Sequence, residues 1–155
     1  VGKSQRDKGC RNEYKLRDDL RRFGYKADRV PSSGAAQGFK GDVKFSKDGK
    51  EYVAEMKARK CSFKSIYAMF TAHYNYSQDD TLKLVTEDGQ LINLSSSPIG
   101  ALESGGVYEY AHNLPWYETH KRTLRRLDTL KKFVKDCDLL AIRDNGLPIL
   151  YLRFR

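Results

Sequence analysis

The positions Cys10, Glu13, Leu16, Leu20 and Phe23, all but one apolar, recur every three or four residues, and Gly24 follows as a stop. That spacing predicts an amphipathic helix over residues 6–23. Glu13 lies on the same stripe, while charged residues mostly occupy the rest of the surface. Such a carboxylate is either a boundary residue reaching water or a group that needs a partner, since burying an unpaired charge is costly. An extended segment is expected over 26–31, followed by a loop of small residues over 32–38.

The clearest pattern is the alternation over 42–46 and 51–57 about Asp48-Gly49, a preferred centre for a two-residue hairpin turn. The turn sets the register: Lys47 faces Lys50, Phe45 faces Tyr52 and Val43 faces Ala54. Asp42 and Glu55 then form a non-hydrogen-bonded pair on the opposite face. Like charges opposed across a sheet are destabilising. Two carboxylates about 4.5–5.5 Å apart at Cβ, with Lys57 along the same face, suit capture of a divalent, oxygen-liganded cation. A solvated face carrying scattered charge is the plainer alternative.

Helical spacing returns over 61–74, where Phe63, Ile66, Tyr67 and Phe70 read as core rather than as a stacking platform. A second hairpin is expected over 82–94 about Asp88-Gly89, then a Ser/Gly/Pro loop over 95–106 and a short strand over 107–110. A basic amphipathic helix over 119–137 follows. The chain closes on a hairpin of 139–143 and 147–154 about Asn145-Gly146.

With 155 residues, 39% of them hydrophobic, the chain has the material for one packed core. We read residues 1–155 as a single domain, with an insertion at about 75–118. The longest purely aliphatic run, Leu139 to Ile142, is far below the ~20 residues of a membrane helix, and 1–24 lacks a signal core. Cys10, Cys61 and Cys137 share no metal spacing and lie in apolar patterns, as expected of reduced thiols packed in a core. These features predict a cytoplasmic location, with no membrane partner.

Net charge is +9, and its distribution says more than its total. Residues 1–30 carry ten basic and five acidic side chains, and 119–135 carry seven basic and one acidic. Residues 74–118 reverse the sign, with Lys83 against seven acids. The basic blocks suit a polyanion, nucleic acid before membrane, although each alone could be a solvated helix face. The acidic block could extend a sheet or bind a partner. No metal-spaced histidines, nucleophile elbow or phosphate-binding Gly loop support other chemistries.

Gly41-Asp42, twelve residues, then Glu55-Met56-Lys57 resembles the core pattern of the PD-(D/E)XK nuclease superfamily. Gly9-Cys10-Arg11-Asn12-Glu13, Arg29-Val30-Pro31-Ser32-Ser33-Gly34 and Glu55-Met56-Lys57-Ala58-Arg59-Lys60 narrow it. Together they resemble the archaeal-type Holliday junction resolvases, a family with compact phage-encoded members, over roughly 8–60 and in the pattern of 127–154. Gly41 stands where the superfamily has proline, and 62–126 exceeds the family's usual connection.

The resemblance implies an α/β restriction-endonuclease-like core, a mixed central β-sheet flanked by helices, here with an inserted β-rich segment. It implies a homodimer that nicks opposed strands of a four-way junction, in the host cytoplasm for a phage-encoded member. Glu13, Asp42 and Glu55 would bind Mg²⁺, with Mn²⁺ substituting; Lys57 would be the catalytic lysine and Ser33 the loop serine. Arg11 and Arg29 would hold phosphates, and Arg22, Lys60, Arg122, Arg125 and Arg126 would add sequence-independent contacts. Two other readings fit these residues: a nickase or endonuclease for other branched or duplex DNA, and a non-catalytic DNA-binding protein.

Overall fold

The computed structural model describes residues 3–30, 41–86, 88–103, 109–110 and 114–155. Helix α1 (Lys3–Arg22) leads through Gly24, at φ +94°, into strand β1 (Lys26–Arg29). Strands β2 (Val43–Lys47) and β3 (Lys50–Arg59) follow, then helix α2 (Lys64–Ser77), β4 (Thr81–Val85), β5 (Leu91–Ser95) and α3 (Pro98–Glu103). Next come β6 (Glu109–Tyr110), α4 (Leu114–Leu130), a 3-10 turn (Lys131–Val134), β7 (Leu139–Asp144) and β8 (Leu150–Phe154).

The eight strands of the described residues join one mixed sheet, in the order β1-β2-β3-β7-β8-β5-β4-β6. The β3–β7 and β4–β6 pairs are parallel and the others antiparallel. β3 and β7 are neighbours in space but distant in sequence, so the centre of the sheet rests on long-range pairing.

Each face of the sheet has its own core, which is why β7 reads as a continuous apolar run. Leu139 and Ala141 face Leu16 and Leu20 of α1 and Ala101 and Leu102 of α3. Leu140 and Ile142 face the other way, onto Phe63, Ile66 and Phe70 of the α2 segment and Leu124 and Leu127 of α4. The aromatic spacing around α2 is therefore core, as its pattern implied. Tyr151 is fully buried on the α1 side, where its hydroxyl donates to the Asp19 carboxylate.

The hairpin about Asp48-Gly49 has the expected register, from Lys47↔Lys50 to Val43↔Ala54. The acidic block is continuous with the sheet: β5 pairs with β8, β4 with β5, and β6 with β4. Among the described residues no helix is long and apolar enough to cross a membrane.

Four expectations change. The loop expected over 95–106 contains α3, because Pro98 is pre-organised for a first turn and Ser97 Oγ accepts the Gly100 N–H at 3.0 Å. The basic helix begins earlier, at Leu114, and ends at Leu130, where the chain tightens into the 3-10 turn. The last hairpin has a longer connection, its innermost pair being Ile142↔Leu150. There Pro148 has no N–H to give a ladder and the Asn145 N–H bonds Arg59 O at 2.9 Å. Finally, the cysteines are free, but Cys61 is exposed and Cys10 only partly buried, while Cys137, also partly buried, does pack against the core on the α2–α4 face.

Asp144 ties the end of β7 to the start of α2. Its carboxylate is 3% exposed and accepts the Phe63 N–H at 3.0 and 3.2 Å. Replacing it with alanine strands that N–H, a cost of about 1–3 kcal/mol. We expect Asp144→Ala to lower the urea midpoint with an unchanged m-value, with Asp144→Asn intermediate.

Candidate active site

The site forms where β3 outruns β2. Their ladder ends at Val43↔Ala54, and residues 55–59 pair only with β7 on the other side, from Glu55↔Leu140 to Arg59↔Asp144. Among the described residues the β2-side edge of β3 therefore has no strand partner beyond Ala54.

Gly41 makes the ladder stop. Its φ is +79°, and a Cβ there would lie 2.3 Å from Val53 Cγ1 and 3.0 Å from Ala54 O. Only glycine fits that backbone and that contact. The chain then lets the Asp42 N–H reach Ala54 O at 2.8 Å, while Asp42 Oδ2 accepts the Met56 N–H at 2.8 Å. Asp42 O accepts the Val30 N–H, also at 2.8 Å, which fastens the turn to the end of β1.

This corrects the expected Asp42–Glu55 strand pair. The antiparallel register does not extend to those residues; a carboxylate oxygen of Asp42 takes the place of the next ladder bond. The two acids nevertheless sense each other, because the Asp42 charge pushes the Glu55 carboxyl up.

Glu55 and Lys57 project from one face of β3 by strand alternation. Glu55 Oε1 lies 3.3 Å from Lys57 Nζ, with side chains 21% and 23% exposed. The ammonium also sits 4.4 Å from the centre of the Phe133 ring, so an aromatic face and a carboxylate fix it together. Cys137 is beside them: burial first, then the charges of Glu55 and Asp42, push its thiol up to about 11.

Glu13 arrives from α1 and has the partner its position demanded. Arg29 Nε donates to Glu13 Oε1 at 2.8 Å, and Arg29 Nη2 reaches Cys10 Sγ at 3.1 Å. The Glu13 carboxyl is raised, mainly by burial and then by Asp42, with Arg29 opposing. Glu55 is raised by burial first and Asp42 second, with Lys57 opposing and Glu13 adding to the rise. Three carboxylates thus share a partly dehydrated notch with two cations, Arg29 and Lys57.

That surplus of oxygen donors and negative charge fits a hard divalent cation, with Asp42 and Glu55 as the residues best placed to hold it. Among the described residues no three acidic, His or Cys side chains already converge as a ligand cage. Binding there would need side chains to adjust.

The remaining predicted residues divide. Ser33 and the loop 32–38 lie outside the described residues. Arg29 is committed to Glu13 and Arg22 is paired with Asp19. Arg11 and Lys60 are exposed, one on α1 and one just after β3. Arg122 and Arg125 are exposed on α4, and Arg126 lies half-buried, 5.7 Å from the Phe63 ring centre. The two basic blocks therefore sit on opposite faces of the sheet. The second reaches the acidic notch through Phe133, whose ring Lys132 also approaches at 5.1 Å.

Sequence reasoning passed over Asn12, Arg59, Phe133 and Arg143, which border the site or the groove beside it. Arg59 continues the Glu55, Lys57 alternation and was within reach of the pattern. Nothing local marks Arg143, which arrives through the β3–β7 pairing. In comparisons with known proteins, no family model, curated protein or solved structure matches the chain.

One test isolates the shared charge. Because the Asp42 carboxylate raises Glu13, Glu55 and Cys137 alike, Asp42→Asn should make all three titrate at lower pH. Carbon-detected NMR titration of the carboxyls and the pH dependence of Cys137 alkylation check this; unshifted midpoints would mean the groups are not electrostatically linked.

Proposed function

We propose that this protein is a metal-dependent endodeoxyribonuclease on a restriction-endonuclease-like core, resolving four-way DNA junctions by paired nicks. The observation that carries the reading is the Asp42 carboxylate, anchored on the Met56 N–H, beside the Glu55–Lys57 pair of β3, with Glu13 near enough for Asp42 to act on its charge. A pure DNA-binding surface gains nothing from three acids that a phosphate backbone must approach.

Asp42 and Glu55 would hold Mg²⁺, or Mn²⁺ in its place, with Glu13 completing the shell directly or through water. When bound there, the ion supplies Lewis-acid polarisation of the scissile phosphate and acidifies a water. Lys57, held by Glu55 and Phe133, stabilises the negative charge that builds on the phosphoryl oxygens in the transition state. Arg29 keeps the Glu13 carboxylate in the notch. Asp42, clamped by the Met56 N–H, offers its remaining oxygen without losing orientation.

Paired nicks need two such sites, so the active form in this reading is a two-fold homodimer. Junction preference then comes from the spacing of the two notches rather than from base readout.

The experiment incubates the protein with a labelled four-way junction and its matching duplex, with Mg²⁺ and with chelator. We expect metal-dependent, symmetric nicks in the junction alone. Asp42→Asn and Glu55→Gln should each lower cleavage roughly 10²-fold or more, and Lys57→Met by a similar factor. Junction affinity should persist in all three variants, because the basic surface is retained. Wild-type cleavage by Asp42→Asn would refute the assignment; equal cutting of duplex would make the protein a general nuclease, and binding without cutting a non-catalytic one.

A further inference from the structure

Beside the acidic notch, the structure contains a groove that the candidate site does not use. A depression at the Glu13 and Lys57 end of the notch is also lined by Lys8, Asn12 and Arg59. The adjoining groove shares Lys8, Asn12 and Arg59 and adds Arg11, Lys15 and Arg143. It runs on past Lys15 and Arg143 toward Arg22. The depressions are thus linked by common walls, beginning at Glu13 and following α1.

Five cations, Lys8, Arg11, Lys15, Arg59 and Arg143, line the groove itself, and among the described residues none of these five has a carboxylate within ion-pairing distance. Asp144 at its floor is already engaged by the Phe63 N–H. Elsewhere on α1, Arg17, Arg21 and Arg22 are each paired with an aspartate. The cations toward the C-terminal end of the helix are therefore neutralised, and Lys8, Arg11 and Lys15, closer to its start, are not.

The uncompensated stretch is also pre-organised. Asn12 is 7% exposed, with both ends of its amide used: Nδ2 donates to Lys8 O at 2.9 Å and Oδ1 accepts from Arg143 Nη1 at 2.9 Å. Arg143 Nε donates to Leu147 O at 3.0 Å. Its guanidinium is held at two points, and Nη2 has no protein partner among the described residues. A fork fixed in this way recognises a planar or tetrahedral oxyanion with little further ordering cost.

We propose that this groove is the track for the DNA strand being cut, with Lys8, Arg11, Lys15, Arg59 and Arg143 binding the phosphates next to the scissile one. Positions 8, 11 and 15 share one helical face and span about 10 Å at about 1.5 Å per residue. That is the axial length of about three phosphates of one strand at about 3.4 Å each. Asn12 acts as a positioning residue through Arg143. The cations of α4, on the opposite face, lie off this track. The proposal rests on the nuclease reading only for which strand occupies the groove.

The test measures binding of a fluorescein-labelled four-way junction by anisotropy between 50 and 200 mM salt, in an Asp42→Asn background so that the DNA stays intact. Lys8→Gln, Lys15→Gln and Arg59→Gln combined should flatten the salt dependence by about 2.7 in log–log slope, about 0.9 per lost phosphate contact, and weaken affinity about 10²-fold near 100 mM. Arg122→Gln with Arg125→Gln should leave the slope unchanged. All five side chains are exposed, so thermal melts should be unaltered. A wild-type slope in the triple variant, or a loss confined to the α4 pair, would overturn the track. Cleavage by the unmodified protein is scored separately: no cutting with a flattened triple-variant slope would sink the nuclease reading and keep the groove as a DNA site. Cutting with an unflattened slope would do the reverse.

Discussion

One carboxylate oxygen governs the geometry of the candidate site. Asp42 Oδ2 takes the Met56 N–H where the next strand bond would have been. Without that substitution, either β2 would continue along β3 and cover the notch, or a backbone donor would be left without a partner, at a cost of about 1–3 kcal/mol. Gly41 is the other half of the device, because any side chain there would collide with Val53. The superfamily that the sequence resembles has proline at this place. In both cases the residue before the aspartate has a restricted backbone requirement, met here by a positive φ.

Electrostatics and packing pull against each other around this turn. Burial alone disfavours the charges of Glu13 and Glu55, and Asp42 disfavours them further. Arg29 and Lys57 relieve part of that repulsion, each by direct contact with one acid. A cluster left with more negative than positive charge is poor for stability and useful for a cation-dependent reaction. The groove along α1 has the opposite imbalance, cations without acids. The two lie side by side, sharing the wall formed by Lys8, Asn12 and Arg59.

Most of the architecture was legible because its signals are local. Asp48-Gly49 fixed the register of β2 and β3, and spacing alone located α1, α2 and α4. The short helix α3 escaped because six residues cannot establish a period, although Ser97-Pro98 is a helix-start signal. The Asp42–Glu55 pairing was misjudged for a different reason. Alternation predicts where side chains go if a ladder continues, but it carries no information about where the ladder stops. That information resided in Gly41, whose requirement comes from Val53 and Ala54 across the sheet. Arg143 and Phe133 were invisible for the same reason: they come to the site through tertiary neighbours rather than through spacing.

β3 has two unlike edges. One pairs in parallel with β7 at the middle of the sheet, between two apolar cores, and the other is open beside the acids. Glu55, Lys57 and Arg59 are thus carried by backbone that can open to hydrogen exchange only when the sheet's longest-range contacts are broken. Fraying at the far edge, β6, would leave the notch standing, whereas fraying of β1 would release Arg29 from Glu13 and the Val30 bond to Asp42 O. Glu55 and Lys57 are therefore lost only with the sheet itself, while the Arg29–Glu13 contact can be lost by opening of β1 alone.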